Sequence, residues 1–198
     1  MEWEINKIMY IFEQLNKSEV LRRLRAVTLL NSSVQPYKKA KIAFNAKVNP
    51  SILMPCQNYV LNERLQDIST MITDLAVSPL GLLSSKFCQL AGCRFSHDKK
   101  MLSLIPPIIE NWEGKLIIAD GMHRCFYALH RDLLIDVIMI KEIDEECPYY
   151  ALPLPNRWKD VKIVNEKPDI GKVYKEPDNY KRLFRDYNGQ FPNVQMKR

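Results

Sequence analysis

The stretch from Pro106 to Ile140, PPIIENWEGKLIIADGMHRCFYALHRDLLIDVIMI, packs apolar runs and turn signals so closely that few folds can hold it. Residues 105–110 (IPPIIE) read as a strand, residues 111–114 (NWEG) as a hairpin turn and residues 115–119 (KLIIA) as the returning strand. Asp120-Gly121 breaks the pattern. Residues 122–133 then keep the spacing of a short helix that buries Cys125, Phe126 and Leu129, and residues 135–143 (IDVIMIKEI) read as a further strand. Strand, hairpin, strand, turn, helix, strand is a small α/β or α+β unit.

The turn between the second strand and the helix carries the chemistry. A Gly there permits φ > 0, which lets free N–H groups converge at a helix start. Those groups and the positive end of the helix dipole attract anions. Arg124 adds a planar fork suited to phosphate. His123 offers a donor or a proton carrier, and Asp120 a helix cap or a ligand for a metal ion beside the phosphates. The plain alternative is a capped helix whose Arg and His sit in solvent.

The rest of the chain is less regular. Residues 4–31 look helical: Ile5, Ile8, Met9, Phe12 and Leu15 keep helical spacing, and Ser18 is placed to cap a second helix through Leu21, Leu24, Val27 and Leu30. Residues 41–48 (KIAFNAKV) alternate as a half-buried strand, which Asn49-Pro50 ends. Residues 62–76 (NERLQDISTMITDLA) read as a helix, and the following stretch to Leu102 as a loop or insertion with at most a short helix. From Cys147 onward prolines recur and an irregular arm is expected, closing in a helix over PDNYKRLFRDYNGQF with Asp178 as cap and Tyr180, Leu183, Phe184 and Tyr187 on one face. The expected organisation is an N-terminal helical extension (1–40), a central domain (41–146, with 77–101 as insertion or loop) and a C-terminal arm (147–198).

Composition excludes some classes. Of the 198 residues 46% are hydrophobic, enough for a packed core. No apolar run is long enough for a membrane span. The start, Met-Glu-Trp-Glu, lacks the basic region of a secretory signal, and five cysteines without one read as reduced thiols; a cytoplasmic protein is expected. The net charge of +6 is uneven: residues 1–50 carry nine Lys/Arg and four Asp/Glu, residues 51–155 nine and thirteen, and residues 156–198 eleven and six. Basic flanks around an acidic middle suit nucleic acid or anionic metabolites, or serve solubility alone.

The segment PPIIENWEGKLIIADGMHRCFYALHRDLLIDVIMI resembles the signature region of the ParB/sulfiredoxin superfamily, with its hairpin, Gly-x-x-Arg turn opening a helix, and closing strand. VNPSILMPCQNYV (Val48 to Val60) is similar to that family's first strand and Pro-Gln arm, and ERLQDISTMI to its next helix. The resemblance spans residues 42–143 and implies an α+β fold, a compact mixed sheet with flanking helices. It also implies a turn that binds nucleotide phosphates through Gly121, Met122, His123 and Arg124, with Gln57 on base or sugar. The superfamily includes CTP-binding partition proteins, ATP-dependent sulfiredoxins, free-serine kinases and regulators of DNA modification. Asp120 matches the D-G-x-H-R variant, which is closer to the last two. Two departures narrow the choice. Sulfiredoxins carry a Cys where this chain has Met122, and partition proteins continue into a long DNA-reading domain for which the residues after Ile143 are too few. By resemblance, the chain binds ATP or another nucleotide with Mg²⁺, held in part by Asp120, and hydrolyses it or passes a phosphoryl group to a small hydroxyl acceptor. His123, Asp120 and the base Glu63, with Asp67 one turn on, are its catalytic candidates. Glu63 equally fits a solvent-facing helix acid. The alternative is a nucleotide-gated or DNA-associated regulatory module without turnover.

Two further groups stand out. Cys88, Cys93 and His97 have spacings that could supply three zinc ligands, or are ordinary core residues. The aromatic and basic side chains of the tail helix could stack bases and meet phosphates, or pack on the domain.

Overall fold

The computed structural model describes residues 10–77, 92–97 and 100–192. In chain order the elements are β1 (Tyr10–Leu15), α1 (Lys17–Arg25), β2 (Thr28–Leu29), β3 (Lys41–Val48), β4 (Tyr59–Leu61), α2 (Asn62–Val77), β5 (Gly92–His97), β6 (Lys100–Leu104), β7 (Ile108–Trp112), β8 (Lys115–Asp120), α3 (Met122–Leu129), β9 (Ile135–Lys141), β10 (Lys162–Val164) and β11 (Arg185–Asp186). Short 3-10 turns lie at Pro50–Ile52, Arg157–Asp160 and Tyr180–Leu183. The fold is α+β.

Its centre is a four-stranded mixed sheet in the order β3-β9-β7-β8. β9 runs antiparallel to β3 and parallel to β7, and β7 and β8 form the expected hairpin. That hairpin turns through Glu113 (φ 51°) and Gly114 (φ 77°). Two consecutive positive φ values give the twist that suits a two-residue loop, and the Gly114 N–H is held by Asn111 Oδ1 at 3.1 Å. β9 is buried from Val137 through Ile140 because both sheet faces are covered. On one face Ile108, Ile138 and Ile140 pack with Val20 and Leu24 of α1, each leucine or valine so buried contributing about 1.5–3 kcal/mol. On the other, Ile109, Ile118, Val137 and Met139 pack with Cys125 of α3. β3, at the edge, alternates exposed and half-buried side chains as its sequence predicts.

The termini depart from expectation. Residues 4–9 lie outside the described residues. Residues 10–15 form a strand paired with β5, in a sheet of order β1-β5-β6, and not a helix. Tyr10, Ile11 and Phe12 suit a strand as well as a helix, and the β5 partner decides. Helix α1 is capped by Asn16, whose Oδ1 accepts the Glu19 N–H at 2.9 Å, and not by Ser18, which donates to that same Oδ1. Within the stretch read as a loop, β5 and β6 are strands; residues 78–91 and 98–99 lie outside the described residues.

The C-terminal helix is absent. A 3-10 turn at Tyr180–Leu183 runs into β11, which pairs antiparallel with β2. The reason is Arg185. A helix that buried Tyr180, Leu183, Phe184 and Tyr187 would turn Arg185 outward, yet Arg185 is buried against Glu110 of β7 with Nε–Oε1 at 2.8 Å and Nη2–Oε2 at 2.9 Å. All five guanidinium N–H groups are used, the others reaching the carbonyls of Cys147, Pro148 and Leu183. Tyr37 Oη and Trp112 Nε1 complete the shell around the Glu110 carboxylate at 2.5 and 2.7 Å. A buried ion pair this fully satisfied overrides local helical periodicity, because leaving either charge unmet costs more than a helix returns.

Candidate functional site

Asp120 ends β8 and Met122 begins α3, with Gly121 between them at φ 86°. A Cβ at Gly121 would lie 2.7 Å from Pro107 Cβ and 3.0 Å from Arg124 Nη2, so glycine is required by conformation and by space. The first helical bond is Cys125 N–H to Gly121 C=O at 3.0 Å. The amides of Met122, His123 and Arg124 therefore have no intrahelical acceptor and sit at the positive end of the helix dipole.

Arg124 folds back over the glycine. Its Nη2 lies 3.1 Å from Asp120 Oδ2, and its Nη1 donates to the Ile105 carbonyl. Asp120 thus pairs with Arg124, and the cap position of α3 belongs to Gly121. Two of the five guanidinium N–H groups have protein acceptors, which leaves donors for an incoming anion.

His123 has another partner. Its Nε2 accepts the backbone N–H of Leu61 at 3.0 Å, so Nδ1 bears the hydrogen. Burial, helped by the charges of Arg64 and Arg124, lowers its pKa to about 4. The imidazole is neutral at pH 7 and joins the end of β4 to the start of α3. Met122 packs against the apolar cluster beneath the sheet.

Because Leu61 immediately precedes α2, the His123 bond sets the starts of α2 and α3 side by side. This brings in Arg64, which the sequence reading missed. Its Nη1 reaches Asp67 Oδ2 at 3.0 Å, while its buried Nε has no hydrogen-bond partner and lies 3.7 Å from Glu63 Oε1. The only sequence signal for it was a cation in the first turn of a helix, a place that normally favours acids.

The remaining candidates are placed less centrally. The Glu63 side chain is 71% exposed, and its ion pair is with Arg64. Gln57 donates from Nε2 to the Tyr59 carbonyl at 2.7 Å, within its own segment. Cys88 lies outside the described residues. Cys93 and His97 lie four residues apart on the extended strand β5, about 13 Å at 3.3 Å per residue, too far for one zinc ion. Among the described residues no group of three or more His, Cys, Asp or Glu is placed to hold a metal. None of the described helices is long and apolar enough to cross a membrane.

Further along the two helices, α2 and α3 leave a cleft of about 320 Å³. Leu65, Gln66 and Ser69 line it from α2, and Phe126 and Tyr127 from α3, with His130 at the C-terminal cap of that helix. The Phe126 and His130 rings lie 4.1 Å apart, and Tyr127 Oη reaches Ser69 Oγ at 3.4 Å. The amide and guanidinium donors lie at the start of α3, and the cleft, with its aromatic, hydroxyl and amide groups, begins about one turn further along the helix.

A family model described as the ParB CE domain matches residues 19–162. The chain belongs to the ParB CE domain family. The matched segment of this ParB CE chain runs from α1 into β10 and contains the four-stranded sheet, both helix starts and the Asp120-Gly121 turn. No curated protein and no solved structure matches the chain.

Proposed function

We propose that this ParB CE chain binds a nucleoside phosphate, with its phosphates on the Gly121–Arg124 turn and its nucleoside half in the cleft between α2 and α3. The observation that carries the reading is the junction of two helix starts at Leu61 and His123. It gathers free amides, Arg64 and Arg124 at the shared start of two helices, and an aromatic cleft lies between the same helices about one turn further along. A nucleotide-gated, DNA-associated regulatory module is the function this arrangement supports best.

A second reading, hydrolysis or phosphoryl transfer to a small hydroxyl acceptor, is favoured by Glu63, a solvent-exposed carboxylate in the first turn of α2 next to Arg64. Asp120 is a single carboxylate, so Mg²⁺ fits only where nucleotide phosphates complete its oxygen ligands. When bound, the ion would offset phosphate charge. Arg124 and the α3 amides hold the anion, and Arg64 orients Glu63.

Calorimetry with ATP, ADP and CTP, with and without Mg²⁺, tests the reading on wild type, Arg124→Ala and Arg64→Gln. Binding by wild type that weakens at least about tenfold in both variants supports it. No binding by wild type, or full binding by Arg64→Gln and by a folded Arg124→Ala, overturns it. Phosphate release with pooled hydroxyl acceptors, abolished by Glu63→Gln, assigns turnover. Binding without release leaves the regulatory module.

A further inference from the structure

The far flank of α3 carries a second cavity, of about 280 Å³. Phe126 and Tyr127 face the cleft against α2, whereas Ala128 and Leu129 face this one. Its opposite wall is Asn49, Pro50 and Ser51, and its rim is the turn 132–134 that follows the helix. Hydrogen bonds fix these walls. Trp158 Nε1 donates to the Pro50 carbonyl at 2.9 Å, Arg157 Nη2 to the Ile52 carbonyl at 3.3 Å, and Asn49 Oδ1 accepts the Ser51 N–H at 2.9 Å. The Leu133 N–H closes the helix end on the Ala128 carbonyl at 2.9 Å. The cavity is thus preformed in the fold.

Its chemistry is one-sided. Pro50, Ala128, Leu129, Leu133 and Leu134 supply apolar surface, and Leu133 and Leu134 stay 40% and 57% exposed at the rim. Asp132 is the charged residue among those that line it, and among the described residues its carboxylate has no hydrogen-bond or ion-pair partner. Arg131, its neighbour in the chain, turns to the other flank, where it lines the α2 cleft with its guanidinium 5.5 Å from the Tyr127 ring centroid. Asp132 also stands at the C-terminal end of α3, where the helix dipole is negative and cations are the favoured neighbours. The turn does not require this charge. At φ 52° the residue is left-handed, a position that Gly or Asn fills without a negative charge. A carboxylate set against a negative helix end, beside open leucines, is a local repulsion that a bound cation offsets.

We infer that this cavity binds a primary ammonium group carried on an apolar body. The Asp132 carboxylate and the negative end of α3 meet the charge, the Ser51 hydroxyl offers a further acceptor, and the leucines take the hydrocarbon. Carboxylates and phosphates are repelled by the same two negative features. A hard divalent ion needs several oxygen ligands, which one carboxylate in an apolar wall does not supply. The volume lies just under the roughly 300–1,000 Å³ of sites that enclose drug-sized ligands. The occupant is therefore small: a free amine, or the single side chain of a partner's lysine.

The two sites lie on opposite flanks of α3, so the occupant of this cavity is independent of nucleotide binding. Backbone amide shifts of the isotope-labelled full chain are followed at neutral pH and low salt as hexylamine, hexanol or hexanoate is added to wild type and to Asp132→Asn. In wild type, hexylamine should move the Ser51, Leu133 and Leu134 amides and bind about fivefold more tightly than hexanol, with hexanoate weakest. In Asp132→Asn, hexylamine should fall to the level of hexanol, hexanol should be unchanged, and the protein should be at least as stable to urea as wild type. No hexylamine shift at these amides overturns the inference, as does equal binding of hexylamine and hexanol. A preference kept in Asp132→Asn, or shifts confined to Leu65, Gln66 and Ser69 of the α2 cleft, also overturns it. Nα-acetyl-lysine methylamide identifies the source of the cation: tighter binding than hexylamine assigns it to a partner's lysine, and weaker binding to a free amine. Failure of nucleotide binding leaves each of these outcomes unaffected.

Discussion

The backbone N–H of Leu61 donates to Nε2 of His123 across 3.0 Å, so one neutral imidazole ties the strand that opens α2 to the turn that opens α3. Protonation of Nε2 would replace an acceptor with a donor facing the Leu61 amide. Burial first, then Arg64 and Arg124, lowers the folded pKa from an ordinary 6.5 to about 4. The unfolded chain therefore binds the extra proton first as pH falls. The stabilisation is fully present above about pH 6.5 and is lost as pH falls from there through about 4, on the order of 3 kcal/mol. Urea titrations across this range should show that loss. His123→Gln, whose side-chain oxygen can accept from Leu61 without titrating there, should flatten it. An equally steep acid limb in His123→Gln would assign the loss to other groups.

Gly121→Ala is expected to destabilise by about 2–4 kcal/mol, since it combines a positive φ with a Cβ placed 2.7 Å from the Pro107 ring. Gly114→Ala shares the positive φ but meets no atom within 4 Å, so it should cost about 1 kcal/mol. Chemical denaturation of both variants checks the order. Equal losses would mean that the Pro107 contact relaxes freely.

Arg185→Met strips the partner from a fully buried Glu110, and a loss of about 3–5 kcal/mol is expected. Adding Glu110→Gln removes the orphaned charge while keeping acceptor capacity for Tyr37 or Trp112, and should restore part of it. A double-mutant cycle in urea measures the coupling. Strict additivity would show that the two residues do not act as a pair.

Cys56 and Cys125 are free and buried, and burial pushes both thiols up to about 12. Thiolate is the reactive form, so native protein near pH 8 should leave both unlabelled by iodoacetamide while urea exposes them. Peptide mass spectrometry reads this directly. Rapid native labelling of Cys125 would mean that α3 opens from the sheet.

The central sheet was legible because its signals are local. The Glu113-Gly114 turn, the Asp120-Gly121 break and the buried run in β9 each state their geometry within a few residues. The ends were illegible because their conformation is set at a distance. Phe12 and Leu15 fit either period until β5 supplies a partner, and Arg185 leaves helical phase to meet a carboxylate 75 positions earlier. The same division holds at the site. Gly121 and Arg124 could be read from their order in the chain. The pairing of Arg124 with Asp120, the commitment of His123 to Leu61 and the arrival of Arg64 depend on how two helices meet.

Glu110 emerges early in synthesis and Arg185 late. Until residue 185 has been made, a carboxylate destined for full burial has no counter-charge, and β7 cannot close its core at low energy. Partly made chains should therefore hold this sheet open, as clients for chaperones and proteases, and the finished arm acts as the signal that the domain is ready to set.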